Sequence, residues 1–252
     1  MRHVIDPQPS TLNAPPAAVV LLSGGMDSTT LLHYVAKRLH VKTVYALSFR
    51  YGQKHARELD AARWQAHAAG VTEHRFIDVS FFGDLTAGRS ALTDASIAIP
   101  RLEELDEAAR RQPPTYVPNR NMMLLSLAAA YAEARGVTDV YYGAQAQDRY
   151  GYWDCTPEFL ERVNALLALN RGTPVAVRAP FMTWRKADEL RLGLELGVDY
   201  AHTWTCYAGG ARPCGVCPSC EERASAFREI EMADPLITAV PDQGLGCPDG
   251  AP

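Results

Sequence analysis

The stretch LSGGMDSTT at residues 22–30 decides the fold of this chain. It follows the apolar run AAVVL (17–21), which is typical of a buried parallel strand, and it precedes LLHYVA (31–36), which is typical of a helix. A strand that turns through glycines into a helix points backbone N–H groups and the positive end of the helix dipole at one spot. Gly24 and Gly25 permit a close approach there, because glycine has no Cβ. The stretch therefore predicts an anion-binding turn.

The kind of anion follows from what the turn contains. No Gly-Lys-Ser/Thr sequence ends it, so it is not a Walker A loop, and transfer of a γ-phosphoryl group is disfavoured. Asp27 would repel a phosphate unless a divalent cation lay between them, so we expect Asp27 to face Mg²⁺ held by phosphates. A turn that merely caps its helix is the alternative. The pattern Ser-Gly-Gly-x-Asp-Ser favours the anion site, and it resembles the PP-loop of ATP pyrophosphatases, which cleave ATP to AMP and pyrophosphate while they adenylate a substrate.

Composition limits the class of protein. A chain of 252 residues suits one α/β domain with an appendage. The net charge of −4 and the pI of about 6.0 provide no basic field for nucleic acid, and no apolar run is long enough to span a membrane. Residues 1–16 lack the apolar core of a secretory signal and are predicted to be a disordered extension. We therefore expect a cytoplasmic protein, whose six cysteines are thiols or metal ligands rather than disulfides.

Strands and helices alternate along residues 17–200, which we take as the main domain. Four more strands are predicted at 42–49, 74–79, 139–144 and 175–180. Helices are predicted between and after them at 54–69, 122–135, 156–170 and 186–196. This alternation predicts an α/β fold that is Rossmann-like and doubly wound, with a mostly parallel five-stranded sheet. Residues 81–118, with one helix at 102–111, interrupt the alternation of strands and helices and are predicted to be an insertion.

Two basic residues lie where a helix dipole opposes their charge. Arg120 begins a strongly apolar helix, and Lys186 lies in the first turn of a later one. A nearby anion would explain both positions, so a phosphate or a carboxylate is the expected partner, and a solvated side chain is the alternative. Asn119 or Asn121 is expected to cap the helix that Arg120 begins.

The loop QAQDRYGYWDC at residues 145–155 follows the fourth strand. In open parallel sheets the ligand lies beyond the carboxyl ends of the strands. The aromatic side chains of the loop can stack on a planar heterocycle, and its carboxylates can accept hydrogen bonds from one. The loop therefore predicts a substrate pocket, with aromatic packing on the surface as the alternative.

Four cysteines lie close together in the sequence, at Cys206, Cys214, Cys217 and Cys220. Two overlapping C-x-x-C steps and a fourth thiolate can close a tetrahedral Zn²⁺ site, although an iron–sulfur cluster needs the same four ligands. Cys155 and Cys247 fit no ligand spacing. We predict a zinc-binding appendage at 201–232, with a helix at 221–232, and a flexible tail at 233–252.

Together, the motifs resemble the 7-cyano-7-deazaguanine synthase family. The stretches that carry the resemblance are SGGMDSTT (23–30), FRYGQ (49–53), YVPNRN (116–121), GYWDC (151–155), TWTCY (203–207) and CGVCPSC (214–220) followed by Arg223 and Phe227. They occur in the same order in that family, and they extend from about residue 18 to residue 227. The pocket loop departs from the family pattern in that Tyr150, Trp153 and Thr156 stand in place of the usual serine, proline and arginine.

The resemblance implies a fold of the adenine nucleotide alpha hydrolase type and a ligase that forms C–N bonds. Such an enzyme converts 7-carboxy-7-deazaguanine, ammonia and ATP into 7-cyano-7-deazaguanine (preQ0). The reaction passes through an adenylated carboxylate and an amide, and it releases AMP and pyrophosphate. The resemblance further implies one structural Zn²⁺ per chain, Mg²⁺ with ATP and a homodimer, without nucleic acid or membrane.

The resemblance also assigns residues to roles. ATP contacts are expected from Leu22, Ser23, Gly24, Gly25, Met26, Asp27, Ser28, Thr29, Thr30, Leu31 and Leu32. Catalytic roles are expected for Asp27, Ser28, Arg120 and Lys186. The substrate is expected to contact Tyr51, Asn121, Asp148, Tyr152 and Asp154.

Two other functions are left open by the sequence. One is an RNA-modifying PP-loop enzyme whose cysteines carry sulfur or an iron–sulfur cluster, although the acidic pI argues against a partner of tRNA size. The other is a non-catalytic protein that retains a nucleotide site and a zinc knuckle for binding a partner. Metal analysis and an assay for pyrophosphate release would separate these functions from the synthase.

Overall fold

Parallel strands form the centre of the protein. In the computed structural model, which describes residues 15–54, 57–146 and 151–238, they are β1 (Ala17–Leu21), β2 (Thr43–Arg50), β3 (Glu73–Asp78), β4 (Asp139–Tyr141) and β5 (Ala176–Arg178). Their order in the sheet is β3-β2-β1-β4-β5, and every neighbouring pair is parallel. The predicted five-stranded, Rossmann-like sheet is therefore confirmed.

Helices cover both faces of the sheet. They are α1 (Met26–His33), α2 (Arg57–Ala68), α3 (Phe81–Leu85), α4 (Glu107–Arg111), α5 (Arg120–Glu133), α6 (Pro157–Leu167), α7 (Lys186–Glu195), α8 (Pro218–Glu229) and α9 (Pro235–Thr238). None of these helices is both long and apolar enough to cross a membrane.

Strand β1 divides its side chains between two hydrophobic cores. Val19 packs in the core that contains Leu125 of α5. Val20 packs in the opposite core, which contains Leu31 of α1 and Leu192 of α7. Because both faces of β1 are buried, its sequence is a continuous apolar run rather than an alternating one.

The strand order fixes the position of the site. From β1 the chain proceeds to β2 and β3 on one side, and it then crosses to β4 and β5 on the other. The segments that follow β1 and β4 therefore flank a crevice at the carboxyl edge of the sheet. They approach closely at Gly143, where an added Cβ would lie 3.2 Å from the backbone nitrogen of Ser28.

Helix α1 begins earlier than the sequence suggests. The prediction placed the helix at 31–36, but the chain enters it directly from Gly25, and Met26 is already helical. Asp27 and Ser28 therefore lie in its first turn, where backbone N–H groups have no partner within the helix. After His33 the helix continues as one π-helical turn, Tyr34–Arg38.

The insertion at 81–118 contains more elements than predicted. The single helix predicted at 102–111 is wrong, since the chain forms a 3₁₀ turn at Leu102–Glu104 and then α4. The break occurs because Asp106 is extended, and its carboxylate accepts a 2.7 Å hydrogen bond from the N–H of Ala109 as the N-cap of α4.

The predicted side-chain cap of α5 is also wrong. Asn119 occupies the N-cap position in the left-handed conformation (φ 55°), but its side chain makes no capping hydrogen bond. The side chain of Asn121 donates to Sγ of Cys155 at 3.3 Å instead. The start of α5 is therefore joined to the loop after β4. Helix α8 likewise begins at Pro218 rather than at residue 221, and the other boundaries differ by a few residues.

A buried arginine fixes the chain after α8. The guanidinium of Arg223 donates from Nε and Nη2 to the carboxylate of Asp234, at 2.7 and 2.8 Å. It also donates to the carbonyl of Tyr200 at 2.9 Å and to the hydroxyl of Thr203 at 2.7 Å. The first residues of the predicted tail are thus bonded to α8, whereas residues 1–14 and 239–252 lie outside the described part of the chain.

One buried histidine predicts a pH dependence of stability. His33 is 1% exposed, and its Nε2 lies 3.2 Å from Oε1 of Gln65. Burial, with the nearby Lys37, lowers the pKa of His33 from 6.5 to about 4. As the pH falls below the ordinary value, the unfolded chain therefore binds a proton that the folded chain does not. We expect this to lower the free energy of unfolding by about 2 kcal/mol between about pH 7.5 and about pH 5.

Urea unfolding at the two pH values checks this prediction. Between the two pH values, the fall in the free energy of unfolding should be about 2 kcal/mol smaller in His33→Gln, because glutamine stays neutral. The matched control is His67→Gln on α2, because His67 is exposed. An unchanged pH dependence in His33→Gln would contradict the prediction.

Candidate active site

A cleft of about 250 Å³ opens at the carboxyl ends of β1 and β4. Its wall combines the turn after β1, the end of β2, the first turns of α2 and α5, the segment after β4, and Trp204, Thr205 and Tyr207. Polar and charged side chains in this wall include Ser23, Asp27, Glu58, Arg120 and Tyr152.

Two serines order the turn after β1. The hydroxyls of Ser23 and Ser28 are 2.9 Å apart, and Oγ of Ser28 accepts a hydrogen bond from the N–H of Ser23 at 3.2 Å. Oγ of Ser23 in turn accepts one from the N–H of Gly25 at 3.2 Å. The turn is therefore shaped by its own side chains, while the first N–H groups of α1 remain available to an anion in the cleft.

Gly24 allows the turn to lie against α2. Its φ is +88°, and an added Cβ would lie 2.0 Å from the carbonyl oxygen of Glu58 and 2.6 Å from the nitrogen of Ala62. Its carbonyl accepts a 2.9 Å hydrogen bond from the N–H of Trp204. The turn is thus held between α2 and the C-terminal part of the chain.

Gly24→Ala is therefore expected to displace the turn and to weaken ATP binding by about tenfold or more. Gly136→Ala is the matched control, because Gly136 also has a positive φ, +66°, but an added Cβ would meet no atom within 4 Å. The control should lose only about 1 kcal/mol of stability through backbone strain. Calorimetric titration with ATP measures the difference, and equal affinities in the two variants would contradict the prediction.

The two carboxylate oxygens of Asp27 have different surroundings. Oδ2 accepts a hydrogen bond from Nζ of Lys186 at 3.2 Å. Oδ1 is buried and has no hydrogen-bond partner among the described residues. A buried acceptor without a partner, beside an anion-binding turn, fits a ligand oxygen for a hard cation such as Mg²⁺.

Lys186 is a buried cation behind the turn. It is 4% exposed, and its ammonium group contacts Oδ2 of Asp27 and Oε2 of Glu222, each at 3.2 Å. The alternative of a solvated Lys186 is therefore wrong. Two carboxylates compensate the charge, and the contact joins α7 to α1 and α8.

Arg120 brings positive charge into the cleft wall. Its guanidinium donates to the hydroxyl of Tyr51 at 3.4 Å and to Oδ1 of Asn121 at 3.3 Å. Burial alone would lower the pKa of Arg120, but Tyr51 and Asp154 raise it above its ordinary value. Arg120 is therefore a permanent cation, and its phosphate or carboxylate partner stays a prediction.

The segment after β4 closes the cleft opposite the turn. The hydroxyls of Tyr152 and Thr115 are 2.7 Å apart, which joins this segment to the insertion. Asp154 is 2% exposed and lies behind the wall, and its Oδ2 accepts from the N–H of Asn121 at 3.4 Å. Burial raises the pKa of Asp154, and Arg120 opposes that shift.

The unusual Trp153 serves packing rather than the cleft. Its Nε1 donates to the hydroxyl of Tyr116 at 2.7 Å, and its ring packs edge-on against Phe159. It is half-exposed and does not belong to the cleft wall. The departure at Trp153 therefore lies outside the described cleft wall, whereas Tyr150 lies outside the described residues.

Most residues with predicted site roles surround the cleft. Those in its wall are Leu22, Ser23, Gly25, Met26, Asp27, Ser28, Tyr51, Arg120, Asn121 and Tyr152. Four predicted ATP contacts are buried residues of α1 that do not line the described cleft, namely Thr29, Thr30, Leu31 and Leu32. The hydroxyl of Thr30 instead lies 2.6 Å from that of Tyr200. Asp148 lies outside the described residues.

Several residues of the wall were not assigned a role from the sequence. They include Glu58, Thr115, Gly143, Cys155 and Tyr207. The motif at 203–207 pointed to Tyr207, but Glu58 occurs on a helix that the sequence marks only as amphipathic. Its approach to the turn depends on the packing of α2 against Gly24.

The four cysteines predicted to bind a metal converge. Their Sγ atoms all lie within 4.8 Å of one another, and those of Cys214 and Cys220 are 4.0 Å apart. The N–H groups of Ala208 and Cys214 donate to Sγ of Cys206, at 3.4 and 3.3 Å. Tetrahedral zinc with bonds of about 2.3 Å places its sulfurs about 3.8 Å apart, so the cluster fits a metal of this size.

Trp204 connects the cysteine cluster to the nucleotide turn. Its Nε1 donates to the carbonyl of Cys206 at 3.0 Å, while its backbone N–H bonds to Gly24. Trp204, Thr205 and Tyr207 are themselves part of the cleft wall. The cysteine cluster therefore supports one side of the cleft.

The fold and the site define a class of protein. A glycine- and serine-rich turn at the switch point of a parallel sheet, with cations beside it, is the arrangement of a nucleotide-binding PP-loop protein. Within this class, the family model of the queuosine biosynthesis protein QueC matches residues 17–231. The chain belongs to this family.

Curated relatives agree with the family. The 7-cyano-7-deazaguanine synthase of Trichodesmium erythraeum is 45% identical over 226 residues, which cover 87% of this chain and 99% of the relative. That of Caldicellulosiruptor saccharolyticus is 45% identical over 219 residues, 87% of this chain and 94% of the relative. That of Archaeoglobus fulgidus is 46% identical over 222 residues, 88% of this chain and 90% of the relative.

These relatives confirm the predicted family. They also confirm the predicted class of enzyme, a ligase-type synthase of queuosine biosynthesis. They give no support to the two alternatives, an RNA-modifying enzyme or a non-catalytic nucleotide-binding protein. The roles of individual residues stay predictions.

Proposed function

We propose that this chain converts 7-carboxy-7-deazaguanine, ammonia and ATP into 7-cyano-7-deazaguanine, AMP and pyrophosphate. The observation that carries the proposal is one cleft that combines the glycine–serine turn, Asp27 and Arg120 in a chain of this family. A carboxylate is a poor electrophile, and transfer of adenylate to one of its oxygens supplies a good leaving group.

In the first activation, the substrate carboxylate attacks the α-phosphorus of ATP and pyrophosphate leaves. The N–H groups at the start of α1 and the hydroxyls of Ser23 and Ser28 bind the pyrophosphate. Asp27 would hold Mg²⁺ through its buried oxygen, and the ion, when bound, would supply charge stabilisation to the phosphates. Lys186 orients Asp27 from behind.

The deazaguanine occupies the side of the cleft opposite the turn. Arg120 directs the carboxylate toward the α-phosphate, because its charge is permanent and it lines the wall. Tyr51, Asn121 and Tyr152 contact the planar base. Asp148 is proposed to accept hydrogen bonds from its N–H groups, as the family resemblance implies. Asp154 is buried behind the wall and would act on the base side through its contact with the N–H of Asn121.

The nitrile forms in a second activation. Ammonia displaces AMP from the acyl-adenylate and gives the amide. The amide oxygen then attacks the α-phosphorus of another ATP, and loss of AMP with the remaining N–H proton leaves the carbon–nitrogen triple bond. The same turn binds pyrophosphate in both activations.

Zinc is the proposed metal of the cysteine cluster, with one ion per chain and a structural role. Free ammonium supplies the nitrogen. The family resemblance supports a homodimer, and we retain the predicted cytoplasmic location. We retain the predicted division into a PP-loop domain at 17–200 and a cysteine appendage at 201–232.

One assay tests the proposed reaction. The protein is incubated with Mg-ATP, ammonium and 7-carboxy-7-deazaguanine, and the products are followed by mass spectrometry. We expect AMP, pyrophosphate and the nitrile, and without ammonium only activation of the acid. Absence of the nitrile at high enzyme concentration would overturn the proposal. One zinc per chain without acid-labile sulfide is the expected metal content.

A further inference from the structure

The conversion of ammonia into a nitrile nitrogen requires a proton acceptor. Addition of ammonia to the acyl-adenylate places a positive charge on nitrogen, and one proton must leave as AMP departs. The amide nitrogen then loses its two remaining protons, one as its oxygen is adenylated and one as the second AMP departs. An acceptor beside the reacting carbon would therefore act on the same nitrogen in both halves of the reaction.

Two carboxylates line the described part of the cleft, Asp27 and Glu58. Asp27 is bonded to Lys186 and lies in the turn that receives pyrophosphate. The hydroxyl of Tyr51 keeps its proton, since burial raises the pKa of Tyr51 above its ordinary value. Glu58 is thus the carboxylate whose position suits a proton acceptor.

Glu58 is fixed between the turn and the substrate side of the cleft. It lies in the first turn of α2, and its backbone carbonyl packs against Gly24. Its Oε1 accepts a 2.9 Å hydrogen bond from Nε2 of Gln53. Gln53 is itself held by the N–H of Tyr51 at 2.7 Å and by the carbonyl of Phe49 at 3.0 Å.

We propose that Glu58 is a catalytic residue that accepts protons from the nitrogen in both half-reactions. This inference rests on the proposed function, because it needs an adenylated acid and ammonia in the cleft. The turn would place the reactive phosphate beside α2. Glu58 lies there, between the turn and the substrate side of the cleft. The proton passes to the Glu58 carboxylate and then to solvent, and no oxidant or reductant is required.

Glu58→Gln tests the assignment, since it keeps the shape of the side chain and an acceptor for Gln53. We expect nitrile formation to fall by about 10² to 10⁴-fold. Adenylation of the acid, measured as pyrophosphate release in a single turnover without ammonium, should stay within about twofold of the wild-type rate. Hydroxylamine should restore much of the lost attack on the acyl-adenylate, because its protonated nitrogen is more acidic than ammonium.

Asp60→Asn is the matched control. Asp60 lies on the same helix, is exposed and pairs only loosely with Arg63 at 3.3 Å, so its loss should change neither rate. Glu58→Asp is a second variant that keeps the charge but withdraws it by one methylene group. Glu58→Asp should form the nitrile at a rate between those of the wild type and a variant without the carboxylate. It therefore provides the test if Glu58→Gln fails to fold.

Three results would overturn the proposal. The first is nitrile formation at the wild-type rate in Glu58→Gln. The second is a parallel loss of adenylation, which would assign Glu58 to the nucleotide side. The third is a Cys155→Ala variant that adenylates the acid normally but forms the nitrile slowly, while Glu58→Gln forms it normally. That result would assign proton transfer to the thiol. If the wild-type protein itself releases no pyrophosphate with the acid, the proposed function fails, and the failure is distinguishable from that of Glu58.

Discussion

Asp27→Ala is expected to reduce pyrophosphate release from ATP by about 10³-fold or more while the protein remains folded. The buried Oδ1 of Asp27 has no partner among the described residues, and its removal takes away the proposed Mg²⁺ ligand beside the turn. The fold should survive because Lys186 keeps its contact with Glu222 at 3.2 Å. The free energy of unfolding should fall by a few kcal/mol at most, since the lysine retains one carboxylate.

Glu222→Gln is the control that separates charge compensation from metal binding. It removes the other carboxylate from Lys186, but Glu222 does not line the described cleft. We expect this variant to keep at least about half of the wild-type rate of pyrophosphate release. Circular dichroism and thermal unfolding of both variants check the fold. Normal turnover by Asp27→Ala would show that the metal role of Asp27 is wrong.

Cys217→Ser is expected to lose the metal and to unfold the cysteine appendage. Structural zinc held by four thiolates contributes about 10–16 kcal/mol at neutral pH, which is more than the stability of most domains. The loss should also reach the nucleotide site. Trp204 donates hydrogen bonds to both Cys206 and Gly24, so disorder in the cysteine cluster should displace the cleft wall that Trp204 forms. ATP affinity should therefore fall by about tenfold or more.

Val216→Ala is the matched control for the cysteine variant. Val216 lies between two of the cysteines, but its side chain is exposed and offers no metal ligand. Zinc content by atomic emission, thermal unfolding and ATP titration should be close to wild type in this control. Full zinc occupancy in Cys217→Ser would show that the four-cysteine site is misassigned.

The sequence was most informative where the determining interactions are local. The apolar run of β1 and the adjacent glycines predict a strand, a turn and a helix within one short stretch, and the structure contains all three. The start of α1 was misplaced by a few residues. The family resemblance included Thr30 and Leu31 among the ATP contacts, whereas both side chains are buried in the structure.

Contacts between distant segments could not be predicted. The two carboxylates around Lys186 come from α1 and α8, and only the packed fold brings them to one ammonium group. The position of Asp154 behind Arg120 depends on how the loop after β4 folds back onto α5. The sequence showed that these charged residues needed partners, but it did not identify the partners.

The hydrogen bond from Trp204 to Gly24 has a consequence for the order in which the protein matures on the ribosome. Gly24 is synthesised before Trp204 and the cluster cysteines, which follow it by about 180 residues or more in the sequence. The turn can therefore form early, but an unfinished chain lacks one wall of the cleft and the metal ligands that support it. Completion of the proposed ATP site therefore follows synthesis of the cysteine cluster, which ties the onset of activity to the segment that would hold the metal.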